Sequence, residues 1–172
     1  RAGIAALCGE TAVELVERDG ATRIRLDGRD VTELIRTPEI SMLASTVSAL
    51  PEVRQRLLAV QREAARAGGI VAEGRDMGTV VFPGADVKFF LTAGPEERGR
   101  RRWLELRGRG HAADLEDVIR DVARRDRQDS EREIAPLRPS EDGVLVDSTG
   151  KTAEEVVGEM LRVIKSKENK TL

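Results

Sequence analysis

Gly69-Ile70-Val71-Ala72-Glu73-Gly74-Arg75-Asp76-Met77-Gly78-Thr79 is the stretch on which the reading of the chain turns. The apolar residues Ile70 to Ala72 predict a short buried strand running into Gly74. Gly74 and Gly78 then allow the backbone to bend and to approach a ligand closely. In open α/β sheets, ligands bind outside the carboxyl ends of the strands. Arg75 and Asp76 would therefore point into such a crevice. The competing reading is a solvated turn carrying an ordinary ion pair.

Downstream, predicted strands and helices alternate. Val87 to Leu91 reads as a strand, and Pro95 opens a charged helix to about Gly108. A loop with Gly108, Gly110 and the single histidine, His111, follows. Asp114 caps a helix reaching about Glu133. Val144 to Val146 forms a third strand, and Thr152 with Glu155 makes a capping box for the last helix. The polar tail from Lys165 is expected to fray. This alternation predicts an α/β fold with a parallel sheet. Upstream, Thr11 to Asp19 and Ala21 to Leu26 alternate, with turns at Asp19-Gly20 and Asp27-Gly28, so a small antiparallel β unit is expected. Ser41 to Leu50 reads as a short helix. A longer one runs from Pro51 to about Ala67, with Val53, Leu57, Val60 and Ala64 on one stripe, and Gly68-Gly69 ends it.

The 172 residues suit one domain, or one domain with a small insert. Apolar residues at 40% and charged residues at 35% give a globular composition with a charged surface. The net charge of −2 and a pI of about 5.7 argue against a nucleic-acid-binding domain. One cysteine, Cys8, excludes an internal disulfide framework and a structural zinc site. No apolar run is long enough to span a membrane and no signal peptide opens the chain, so a cytoplasmic protein is expected. Nothing suggests an oligomer, and a monomer is expected. Among the 29 basic residues only Lys88, Lys151, Lys165, Lys167 and Lys170 are lysines. Arginine offers a planar fork that matches phosphate oxygens, although a GC-rich genome accounts for many at the surface.

The predicted helix from Asp114 carries the second chemical signal. Leu115, Val118 and Val122 form an inward stripe, and the same spacing continues onto Arg125, Asp129 and Arg132. Charges on a core-facing stripe should be paired or face a ligand. Two guanidinium groups separated by a carboxylate could grip a phosphate and a ribose hydroxyl. The alternative is a helix end that projects into solvent with i,i+4 pairs. A run of Arg98, Arg100, Arg101, Arg102, Arg107 and Arg109 reads first as a solvated face, and its neighbouring Gly-containing loop suggests a mobile lid. Gly150-Lys151-Thr152 mimics the end of a phosphate-binding loop, but G-x-x-x-x-G-K-[ST] would need glycine where Leu145 stands, inside a strand. It is rejected.

Several segments, in order and with matching spacing, resemble the bacterial cytidylate kinase family. They are Ile35-Arg36-Thr37-Pro38-Glu39, Ala44 through Arg54, Gly74 through Pro83, Arg125-Asp126-Arg127-Gln128-Asp129-Ser130-Glu131-Arg132, Ala135-Pro136-Leu137 and Val146-Asp147-Ser148-Thr149. The resemblance runs from about Gly28 to the last helix. It implies a nucleoside monophosphate kinase of the P-loop type: a parallel sheet flanked by helices, a CMP-binding insert with small antiparallel β structure, and a lid. On that pattern, 1–67 would be the CMP-binding part, 68–106 and 133–172 the α/β core, and 107–132 the lid with its substrate-gripping helix. By similarity Ser45, Arg54 and Asp76 would recognise the cytosine edge. Arg75 and Arg132 would hold the CMP phosphate, and Arg125 and Asp129 the ribose or a neighbouring phosphate. Arg125 and Arg132 would also serve catalysis. The resemblance implies CMP, dCMP and ATP as substrates and Mg²⁺ as cofactor, with no nucleic-acid or membrane partner. Alternatives are a kinase for UMP or AMP, or a non-catalytic nucleotide- or RNA-binding relative. The family's Walker A loop, with its ATP phosphate cradle and Mg²⁺-binding hydroxyl, is expected upstream of Arg1, and catalysis is expected only with that segment present.

Overall fold

The computed structural model describes the backbone of residues 2–171, with the side chains of Ala2, Ala5, Pro38, Ser45, Lys170 and Thr171 outside the description. The chain divides into two compact units, 1–72 and 73–172.

The first unit begins with helix α1, Ala2–Glu10, which the sequence reading did not assign. Its apolar residues run together without helical spacing, so periodicity gave no signal. Strands β1 (Val13–Arg18), β2 (Ala21–Leu26) and β3 (Arg29–Asp30) form an antiparallel sheet in chain order. Both turns are Asp-Gly pairs with positive φ: Asp19 at 54° and Gly20 at 73°, then Asp27 at 49° and Gly28 at 78°. That backbone twist suits a two-residue hairpin, and Asp-Gly accommodates it at low cost. Thr32, 4% exposed, anchors the sheet: its hydroxyl accepts from the Ile24 amide at 2.9 Å while its own amide donates to Asp30 Oδ1 at 2.9 Å.

Helix α2 spans Pro38–Val47 and so starts earlier than expected. Thr37 accepts from the Ile40 amide at 3.3 Å and Pro38 occupies the first turn, where a missing N–H costs nothing. Helix α3, Pro51–Ala64, packs against α1. It ends before Gly68 and Gly69, both of positive φ.

Ile70 to Ala72 is not a strand. The segment is exposed, Val71 fully so, and it pairs with no strand among the described residues. A strand needs a neighbour to satisfy its amides and carbonyls, and three apolar residues alone do not specify one.

The second unit holds a parallel pair, β4 (Phe89–Thr92) and β5 (Val144–Asp147), in register Phe89↔Val144 through Thr92↔Asp147. This is the expected α/β pattern with a parallel sheet. Helices α4 (Pro95–Gly108), α5 (Leu115–Glu131) and α6 (Ala153–Thr171) complete it. Between Gly74 and β4, Met77–Val81 forms a π-helical turn. Val146 is fully buried, with Val81, Ala93, Leu106, Val118 and Val156 also in the core. Each such burial contributes about 1.5–3 kcal/mol for a full aliphatic side chain. The Thr152–Glu155 capping box forms as read, with Glu155 Oε2 accepting from the Thr152 amide at 2.8 Å and Thr152 Oγ1 from the Glu155 amide at 3.2 Å. Lys151 pairs with Glu159 at 2.7 Å. Helix α6 continues past Lys165 to Thr171.

Helices α4 and α5 make the main tertiary interface of this unit. Gly99 is buried there, and a Cβ at that position would fall 2.9 Å from the Ile119 Cα. Only glycine lets the two helices approach this closely. Gly99→Val is therefore expected to cost about 1–3 kcal/mol through overpacking, read as a lowered thermal midpoint. The double change Gly99→Val with Ile119→Ala should recover part of the loss. An unchanged midpoint for Gly99→Val would contradict this packing.

Candidate functional site

Helix α5 starts where Asp114 Oδ1 accepts from the amides of Glu116 at 2.9 Å and Asp117 at 3.1 Å. Its core-facing stripe buries Val118, and three turns later it buries Asp129. The Asp129 side chain is only 4% exposed and lies among three guanidinium groups: Arg75 Nε at 3.1 Å, Arg132 at 3.7 Å and Arg125 Nε at 4.0 Å. The predicted Arg125, Asp129 and Arg132 thus meet, and Arg75 from the loop after Gly74 joins them. A turn closes the site from below. Ala135 has φ of 51°, a left-handed conformation that costs a non-glycine residue about 1–2 kcal/mol. This presents its carbonyl to Arg132 Nε at 2.6 Å, and the Leu137 amide returns to the Asp129 carbonyl at 2.7 Å.

Two residues that the sequence reading gave no role extend this cluster. Asp126 pairs with Arg98 of α4 at 2.8 Å and with Arg75 at 3.9 Å. Arg98 also donates to the Ala93 carbonyl, just past the carboxyl end of β4. The arginine run of α4 is therefore not a uniform solvated face. Arg101 donates to Ser148 Oγ at 2.9 Å and to the Ser148 carbonyl at 2.7 Å, just past β5. Arg102 and Arg109 pair with Glu105 within the helix, and Arg107 lies 4.9 Å over the Trp103 ring. One available signal was Gly99, whose lack of a side chain marks the face of α4 turned toward α5.

The glycines of the opening motif lie against neighbouring side chains. A Cβ on Gly74 would fall 2.6 Å from Met77 Cε, and one on Gly78 would fall 3.2 Å from Lys88 Cδ. They make room for neighbouring side chains. Asp76 is 8% exposed, and its carbonyl accepts from the amides of Val80 at 2.9 Å and Val81 at 3.2 Å to start the π turn. Such turns cluster at functional positions. In the first unit, Ser45 lies on α2 with its side chain outside the described residues. Arg54 lies on α3, where its NH1 donates to the Ser48 carbonyl at 3.4 Å.

The charge balance shows what the cluster can do. Arg75, Arg98, Arg125 and Arg132 face two carboxylates, Asp126 and Asp129. Burial holds the Arg125 guanidinium below its ordinary pKa; Arg75 adds to this, Asp129 opposes it, and Arg102 adds again. Arg98 Nε, Arg125 Nε and Arg132 NH2 are buried and make no hydrogen bond. Surplus positive charge with unfilled planar donors fits an anion with several oxygens, such as a phosphate monoester. Among the described residues no three His, Cys, Asp or Glu side chains gather to hold a metal ion, and no helix is long and apolar enough to cross a membrane. Removing the central carboxylate leaves Arg125 and Arg132 without their carboxylate partner and Arg75 with only Asp126, 3.9 Å away. Asp129→Asn is expected to lose about 3 kcal/mol of stability or more in chemical denaturation, with inorganic phosphate restoring part of it. Stability equal to the parent protein would contradict this arrangement.

Comparison with known proteins identifies the family. The cytidylate kinase family model matches residues 2–166. The cytidylate kinase of Geobacter sulfurreducens is 52% identical over 170 residues, covering 99% of this chain and 73% of that protein. That of Syntrophotalea carbinolica is 50% identical over 172 residues, covering 95% and 73% respectively. That of Carboxydothermus hydrogenoformans is 51% identical over 162 residues, covering 94% and 73%. With an arginine cluster suited to a phosphate monoester and half of its residues shared along nearly its whole length, the chain belongs to the cytidylate kinase family.

Proposed function

We infer that this protein transfers the terminal phosphate of ATP to CMP, with its second unit gripping the CMP phosphate. The single observation that carries the reading is the surplus of guanidinium groups around Asp129, with buried donors on Arg125 and Arg132 that make no hydrogen bond. A phosphate dianion would balance that surplus. Arg75 and Arg132 are assigned to this phosphate, and Arg125 with Asp129 to the ribose or a neighbouring phosphate. Residues 1–67 are assigned to the monophosphate side and 107–132 to the lid. Apart from the phosphoryl group being transferred, no residue of this chain is assigned to ATP.

Phosphoryl transfer relies on positioning and charge neutralisation more than on covalent chemistry. Arg125 and Arg132 would offset charge on the transferring group, and closure of the lid would exclude competing water. The described residues do not form a resident Mg²⁺ site, because Asp126 and Asp129 are committed to arginines. Mg²⁺ favours substrate phosphates and water as ligands, so it would enter with ATP. The acidic pI of about 5.7 fits the absence of a nucleic-acid partner, and a monomer in the cytoplasm is kept as part of this reading.

The base is assigned to Asp76, Arg54 and Ser45. A buried carboxylate at Asp76 can accept from the exocyclic amine of cytosine, while Arg54 and Ser45 can donate to ring acceptors. Uracil would place a carbonyl, which has no proton to donate, against the carboxylate. dCMP keeps the same base and phosphate and would also be accepted. Competitive binding to the full-length protein tests this. CMP should bind about 10-fold to 100-fold more tightly than UMP, the range for a charged hydrogen bond lost in a buried site, and Asp76→Ala should erase most of the difference. Equal discrimination by parent and Asp76→Ala would refute the role of Asp76.

A further inference from the structure

Asp126 is the one carboxylate of the cluster to which the proposed function gives no task, and its position creates a problem. It lies 3.9 Å from Arg75, one of the two arginines assigned to the substrate phosphate. Its side chain is 20% exposed, so solvent screens it poorly. A carboxylate free to turn toward Arg75 would compete with the incoming phosphate for the same guanidinium fork. It would also repel the dianion directly.

The structure shows what prevents this. Arg98 NH2 stands 2.8 Å from Asp126 Oδ2, on the side of the carboxyl group that faces α4. Arg98 is fixed in turn by donating to the Ala93 carbonyl at the end of β4. Gly99, its neighbour in sequence, sets the close approach of α4 to α5 that brings the pair within reach. Asp126 thus has a short pair with Arg98 and a long one with Arg75.

We propose that Arg98 is a positioning residue for the monophosphate: by holding Asp126 against α4 it leaves the NH2 edge of Arg75, whose Nε pairs with Asp129 at 3.1 Å, open to the substrate phosphate. The proposal rests on the reading of CMP as substrate. It differs from a purely structural role for Arg98 in one respect. If Arg98 acts by restraining Asp126, removing the Asp126 charge makes Arg98 dispensable for binding.

A double-mutant cycle on the full-length protein tests this, reading the CMP dissociation constant by calorimetry and the KM values for CMP and ATP by a coupled assay. Arg98→Met is expected to weaken CMP about tenfold and to raise KM for CMP, while KM for ATP stays within about threefold. Adding Asp126→Asn to Arg98→Met should bring CMP affinity back to within about threefold of the parent. Arg98→Lys, which keeps the charge and is the fallback if Arg98→Met folds poorly, should also stay within about threefold. The proposal is overturned if the double variant binds no better than Arg98→Met, or if the losses from the two single changes simply add. It is equally overturned if Arg98→Met binds CMP like the parent. No CMP binding by the parent protein would instead sink the substrate reading, and this inference with it. That pattern is distinct from a parent that binds and a cycle that shows no rescue.

Discussion

The buried carboxylate of Asp129 is the interaction on which the second unit depends. Its side chain draws in Arg75, Arg125 and Arg132, and its backbone carbonyl receives the Leu137 amide. One residue therefore joins the loop after Gly74, the last turns of α5 and the turn through Ala135. Buried ion pairs seldom add net stability over an apolar packing of the same volume. Stability alone does not account for four arginines gathered around two carboxylates at one place. An anionic ligand does, because it supplies the negative charge that two aspartates do not.

Helix α4 converts this charge cluster into a positioned site. Arg98 reaches the carbonyl after β4, and Arg101 reaches Ser148 after β5. The carboxyl ends of both parallel strands are thus tied to one helix, where ligands of α/β sheets are expected to bind. Ser148 adds its own bond, donating from Oγ to the Thr92 carbonyl at 2.9 Å. Because Gly99 brings α4 against Ile119, the arginines of α4 and the acids of α5 are held on two rigid, close-packed helices.

Much of this was legible in the sequence, for local reasons. The two Asp-Gly turns, the Asp114 cap and the Thr152–Glu155 box are short-range patterns with fixed geometry, and the structure contains each. The step from Leu115, Val118 and Val122 to Arg125, Asp129 and Arg132 followed from helical spacing alone. Arg98 and Asp126 were missed because their pairing depends on how two helices meet, which no local spacing encodes. The strand expected at Ile70 to Ala72 failed for a related reason: a strand is defined by its neighbour. Gly74 and Gly78 were singled out as sites of close approach, and a Cβ on either would meet a side chain, Met77 or Lys88.

The central claim is that the arginine cluster around Asp129 recognises the phosphate of a monophosphate substrate. Calorimetric titration of full-length Arg132→Met with CMP and with cytidine tests it most directly. The account predicts that CMP binding weakens by at least about tenfold, the scale of a lost charge-assisted hydrogen bond, while the binding of cytidine, which lacks the phosphate, is unchanged. Equal weakening of CMP and cytidine, or no weakening of CMP, would contradict it.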